Sequence, residues 1–145
     1  MIVNIKLATQ PGIPNINGNT YTQQEFDKMI NSPYYQSLKE NNILYVTSTY
    51  SYLDRNNILD FYAIQPDHIL GSVIEKYDTS ADINLSNTKF INSIKSGELD
   101  INDYLLAMTY VGELYKKRGK TYVKNMKFNH YYLINKETMR SNMEI

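Results

Sequence analysis

Two histidines, His68 and His130, are the only imidazoles in a chain of 145 residues that has no cysteine. A hydroxyl nucleophile near neutral pH needs a neighbouring base, so triad-type chemistry would have to run through one of these two rings. No serine lies in a Gly-x-Ser-x-Gly elbow. His68 follows Pro66-Asp67 in a turn ahead of a strand pattern, where a surface or turn-stabilising histidine is the plainer expectation. His130, between Asn129 and Tyr131 in a strand-like run, is expected to be a half-exposed sheet residue. The acidic groups Glu98-Asp100-Asp103 and Asp78-Asp82 lack the glycine and terminal glutamate of a calcium loop, and read as solvated turns or helix caps. Thiolate metal sites and disulfides are excluded by composition. No catalytic residue, metal ligand or cofactor is assigned.

One strong charge run remains, Lys116-Lys117-Arg118-Gly119-Lys120. A phosphate loop needs glycine amides followed by a helix; here the glycine lies between two strand-like segments, so a hairpin tip is expected. Lys116, Lys117, Arg118 and Lys120 are therefore candidates for contact with a partner's surface. Fifteen basic and fifteen acidic residues cancel, which leaves no net field toward phosphate or acidic lipid and argues against nucleic acid as the partner. No stretch approaches the roughly 18 apolar residues of a membrane span. The first residues, Met1 to Leu7, lack the charged start, apolar run and cleavage site of a signal peptide, so no membrane partner is expected. Fourteen tyrosines suit interfaces, although the joint excess of Asn, Ile and Tyr is more simply codon bias.

Several elements must position these groups. Ile2 to Leu7 alternates as a half-buried strand, and Thr9 to Thr20, with Pro11, Gly12, Pro14 and Gly18, reads as an ordered loop. Thr22 and Glu25 form a capping-box pattern ahead of Phe26, Met29 and Ile30 on one helical face. Ser32-Pro33 starts a second short helix through Leu38. Ile43 to Tyr50, a turn at Asp54-Arg55-Asn56-Asn57 and Ile58 to Ile64 outline a hairpin. Ile69 to Tyr77 is another strand, with Gly71 marking a bulge or a close backbone approach. A helix capped by Ser86 or Asn87 carries Phe90, Ile91 and Ile94 and ends at Gly97. Tyr104 to Val111, Lys120 to Met126 and Asn129 to Ile134 read as three further strands. With no βαβ alternation, residues 1–135 are expected to form one α+β domain. Its sheet would be mainly antiparallel, with a barrel-like closure open to it, beside two or three short helices, and 136–145 would be a polar C-terminal tail.

Three segments together resemble the prohead maturation proteases of tailed bacteriophages. Asn15-Ile16-Asn17-Gly18-Asn19-Thr20-Tyr21 is similar to an early Asn-x-Asn-Gly-x-x-Tyr loop ahead of a helix. Asp67-His68-Ile69-Leu70-Gly71-Ser72-Val73 resembles a turn leading into an Ile-x-Gly-x-Val strand, and Ala107 to Glu113, followed by Lys124 to Ile134, matches in order the strand that the nucleophile opens. The departures decide what the resemblance implies. The family's histidine would fall within Leu44 to Leu53, where this chain has none, and the nucleophile position carries Thr109. His68 lies past the catalytic slot.

The resemblance thus implies a relative that kept the fold and lost the reaction. The expected role is a non-enzymatic phage structural protein, an auxiliary or minor capsid component assembled in the host cytoplasm and carried in the virion. Its partners would be the major capsid protein or other virion proteins. Contact is expected from the loop residues Asn15, Asn17, Gly18, Asn19 and Tyr21 and from the basic hairpin tip, because loops on a rigid scaffold usually carry recognition. Two alternatives stay open: an active serine-type processing protease using His68 or His130, and a small phage protein that binds a host factor.

Overall fold

The computed structural model describes residues 1–15, 18–48 and 66–137. Period-two alternation builds its first strand, β1 (Ile2–Lys6), which buries Ile5 and half-buries Val3. The loop that follows is not wholly irregular: Asn19–Thr20 forms a short strand, β2. Helices α1 (Gln23–Ile30) and α2 (Pro33–Glu40) come next, each started by its expected cap. Thr22 Oγ1 accepts from Glu25 N–H at 3.2 Å, and Ser32 Oγ accepts from Tyr35 N–H at 3.2 Å. The capping box is only half made, because the Glu25 carboxylate accepts instead from Asn125 N–H, 3.2 Å away across the domain.

Strand β3 (Tyr45–Thr47) is shorter than the apolar run suggested. Thr49 and Tyr50 of that run, the expected Asp54–Asn57 turn and the expected Ile58–Ile64 strand lie outside the described residues. A 3₁₀ turn at Pro66–His68 leads into β4 (Ile69–Lys76), as expected. The sequence reading passed over β5 (Ser80–Leu85), although Ala81, Ile83 and Leu85 alternate and are all buried. Asp82 is accordingly a strand residue and not part of a solvated turn; its carboxylate accepts from Asn4 Nδ2 at 2.9 Å and from Tyr77 O–H at 2.7 Å. Helix α3 (Thr88–Lys95) is capped by Asn87, whose Oδ1 accepts from Phe90 N–H at 3.0 Å. Gly97 takes the left-handed φ of 82° that ends it.

The last third forms one long hairpin. β6 (Tyr104–Lys117) runs past Val111, and the two strands expected at 120–126 and 129–134 are one strand, β7 (Lys120–Asn135). The break seen in the sequence is a pair of bulges, at Asn125-Met126 opposite Gly112 and at Asn129, which bend the strand without ending it. Arg118 and Gly119, with φ of 53° and 78°, make the two-residue turn between them.

The sheet runs β1-β5-β4-β3-β7, and both β2 and β6 pair with β7. All its pairings are antiparallel except those of β3 and β2 with β7. The two outer regions approach each other: Leu7 bridges Leu106, and Ala8 N–H donates to Leu106 O at 2.7 Å. That contact is one bridge and not a ladder, so the sheet curls like a barrel without closing. The helices pack over its main core, where Phe26 and Met29 of α1 and Tyr35 of α2 meet Val46, Ile83, Val123 and Phe128. The outcome is a single α+β domain with three α-helices among the described residues. None of those helices is long and apolar enough to cross a membrane.

Candidate functional site

The hairpin brings together two groups that the sequence keeps apart. Thr109 of β6 and His130 of β7 are cross-strand partners, and Thr109 Oγ1 stands 3.1 Å from His130 Nδ1. The same hydroxyl lies 3.2 Å from His130 O as a donor and accepts from His130 N–H at 3.3 Å. His130 is therefore not the half-exposed sheet residue expected. It is 1% exposed and Thr109 is 3% exposed. By alternation along the strands, Thr47, Ala107, Tyr132 and Ile134 share their face of the sheet, and all four are buried. Thr47 Oγ1 donates to Tyr131 O at 3.5 Å.

Hydroxyl against imidazole is the contact a nucleophile and its base require. The environment changes what this pair can do. Burial lowers the His130 pKa to about 4, so the ring is neutral at pH 7 and a weak proton acceptor. Two open grooves among the described residues are formed by other side chains. One of about 270 Å³ runs between α1, α2 and β4, and one of about 530 Å³ surrounds Lys76, Asp27 and Asp78; neither is lined by Thr109 or His130.

On the opposite face of β7, the Tyr131 hydroxyl meets that of Tyr35 at 2.8 Å. Desolvation pushes both phenols up, so both stay protonated and the pair is a satisfied core contact. Among the described residues, no group of three acidic or histidine side chains is placed to hold a metal ion. Asp100 caps the Ile101–Asp103 turn by accepting from Asn102 N–H at 3.0 Å.

The candidate contact residues divide by burial. Tyr21 is a core residue, 2% exposed, stacked on Phe26 and bonded through its hydroxyl to Thr9 Oγ1 at 3.1 Å, so its side chain cannot meet a partner. Asn15 is half-buried and organises the loop: its Oδ1 accepts from Asn19 N–H at 3.0 Å and its Nδ2 donates to the Tyr110 hydroxyl at 3.1 Å. Asn17 lies outside the described residues. Gly18 is exposed at φ 79°, and Asn19 pairs with Thr121. That pairing joins the Asn15–Thr20 loop directly to the base of the tip formed by Lys116, Lys117, Arg118 and Lys120, all exposed. Two segments about a hundred residues apart in sequence thus flank the same end of β7.

No protein-family model matches the chain, and no curated protein sequence matches it. The fold is similar to that of the bacteriophage T4 capsid assembly protease gp21, with a TM-score of 0.66 at 12% sequence identity. The likeness covers 90% of this chain and 80% of that one. Identity that low shows the fold alone, and it is the protease-like fold the sequence resemblance implied.

Proposed function

We propose that this chain is a non-enzymatic structural protein of a tailed bacteriophage, an auxiliary or minor capsid component that works by protein contact on a protease-like fold. The observation that carries the reading is the sealed Thr109–His130 pair. Among the described residues, this pairing of a hydroxyl with an imidazole has its hydroxyl committed to the His130 main chain and its imidazole held neutral by burial. Both side chains are almost unexposed, so a peptide bond could meet them only by displacing what covers them. The surface instead offers the joined loop and basic tip, whose natural counterparts are acidic patches on the major capsid protein or other virion proteins. The place of action is the virion, after assembly in the host cytoplasm.

A second reading, an active processing protease, is favoured by the 3.1 Å contact itself. Incubating the purified chain with capsid and scaffold precursors separates the two. The structural reading expects precursor bands unchanged, with wild type and Thr109→Ala indistinguishable. Cleavage by the wild type that Thr109→Ala or His130→Ala abolishes, with both variants folded by circular dichroism, would establish the protease.

A further inference from the structure

The half of β6 beyond Tyr110 has a partner on one side only. β7 covers one edge from Val111 to Lys117, whereas the bridge to Leu7 reaches β6 at Leu106, well below this arm. Its other edge is open among the described residues. In the two-residue turn, Lys117 C=O faces Lys120 N–H, and strict alternation from that pair turns the N–H and C=O of Leu114 and Lys116 away from β7. An open edge is a template for another strand, and proteins usually blunt one with proline, charge or brevity. This arm has no proline, and it exposes Val111 at 44% and Leu114 at 61%.

Charge chooses the guest. Glu113 is already engaged, with Asn125 Nδ2 at 3.1 Å and Lys124 Nζ at 4.0 Å. Lys116, Lys117, Arg118 and Lys120 have no ion-pair partner among the described residues. A second copy leaves these cations unmatched: paired in parallel they meet their own kind, and paired antiparallel about Leu114 they meet Val111 and Gly112. Nucleic acid would use the tip but leave the open amides and the Val111 and Leu114 side chains without a role.

Resting on the contact role proposed above, we infer that the outer edge of β6, Val111 to Lys117, takes up an acidic, extended segment of a protein partner as an added strand. The main chain supplies the hydrogen bonds, Val111 and Leu114 accept apolar side chains, and the basic tip selects carboxylates.

The test uses the full chain and a blocked synthetic peptide alternating glutamate and valine, followed by amide hydrogen exchange. The Leu114 and Lys116 amides are expected to exchange about tenfold more slowly with this peptide, and to be unchanged by its lysine–valine counterpart. Leu114→Pro, which removes an outward N–H only, should abolish the effect while the other β6–β7 amides stay protected. Lys116→Glu with Lys117→Glu, which leaves two positive and two negative charges at the tip, should remove the preference for the acidic peptide without touching the main-chain edge. The inference is overturned if the acidic peptide protects nothing or protects residues elsewhere. It is equally overturned if the chain alone self-associates through this edge, or if single-stranded DNA gives the same protection. A chain present in virions that ignores the acidic peptide would sink this inference and leave the structural role standing.

Discussion

Gly71→Ala is expected to destabilise the fold by about 3 kcal/mol or more, beyond ordinary overpacking because the obstruction is main chain. Gly71 sits in the middle of the sheet, paired with Val46 of β3 on one side and Leu85 of β5 on the other. A Cβ there would lie 2.1 Å from Asn84 O and 2.9 Å from both Asn84 C and Leu85 Cα. None of these atoms can rotate aside, so β4 and β5 would have to separate and give up ladder hydrogen bonds. For a domain whose total stability is of the order of 5–15 kcal/mol, that loss leaves little reserve. Urea or thermal unfolding measures it, with a fall in Tm of roughly 10 °C expected. Gly112→Ala is the internal comparison. Its Cβ would meet the Val123 side chain at 2.5 Å and Lys124 O at 3.2 Å, a bulge contact that a rotamer change can partly relieve. It should therefore cost less. Equal stability of Gly71→Ala and wild type would contradict the sheet register.

The second large effect is acid sensitivity centred on His130. Its folded pKa is about 4 against 6.5 for a free imidazole, so the unfolded chain binds this proton more readily than the folded one. The stability from keeping the ring neutral is complete above pH 6.5. It declines as pH falls from there toward 4, by about 3 kcal/mol in all, and then levels. Asp82 contributes in the same direction only at lower pH, because its hydrogen bonds from Asn4 and Tyr77 hold its carboxyl below the usual value. Urea midpoints taken from neutral pH down to about pH 4 should fall for the wild type and stay nearly flat for His130→Asn, whose amide can still face Thr109. Parallel slopes for the two proteins would mean that His130 is not the group responsible.

Much of the architecture was legible because it rests on local chemistry. Thr22, Ser32 and Asn87 cap helices where their hydroxyl or amide oxygens predict, Gly97 ends one, and Gly71 marks the close strand approach its type suggested. The missed strand β5 was equally readable, since Ala81, Ile83 and Leu85 alternate with polar residues. The acidic Asp82 drew the segment toward a turn reading, although on a strand it needs only face outward.

The Thr109–His130 pair was not legible, and the reason is register. Counting outward from the Arg118-Gly119 turn in regular pairing puts Phe128 opposite Thr109. Two bulges in β7, at Asn125-Met126 and at Asn129, each slip the register by one and bring His130 there instead. The first is marked only by Asn125, which takes a left-handed φ of 54°, and the second by nothing local. The position at which the sequence resemblance sets Thr109 therefore has an imidazole beside it, contributed by the neighbouring strand. The tyrosine excess resolves similarly. Among the described residues, Tyr21, Tyr35, Tyr131 and Tyr132 are core residues whereas Tyr34 and Tyr77 are exposed, so these rings do not gather into one interface.

The central claim is that a protease-like fold serves here as a contact module. A quantitative mass-spectrometric inventory of purified phage particles tests it most directly. The account predicts this chain at fixed stoichiometry in mature virions, at a symmetry-related copy number on the order of tens to hundreds per particle. Its absence from mature particles, with capsid precursors left uncleaved when Thr109 or His130 is replaced in the phage, would contradict it.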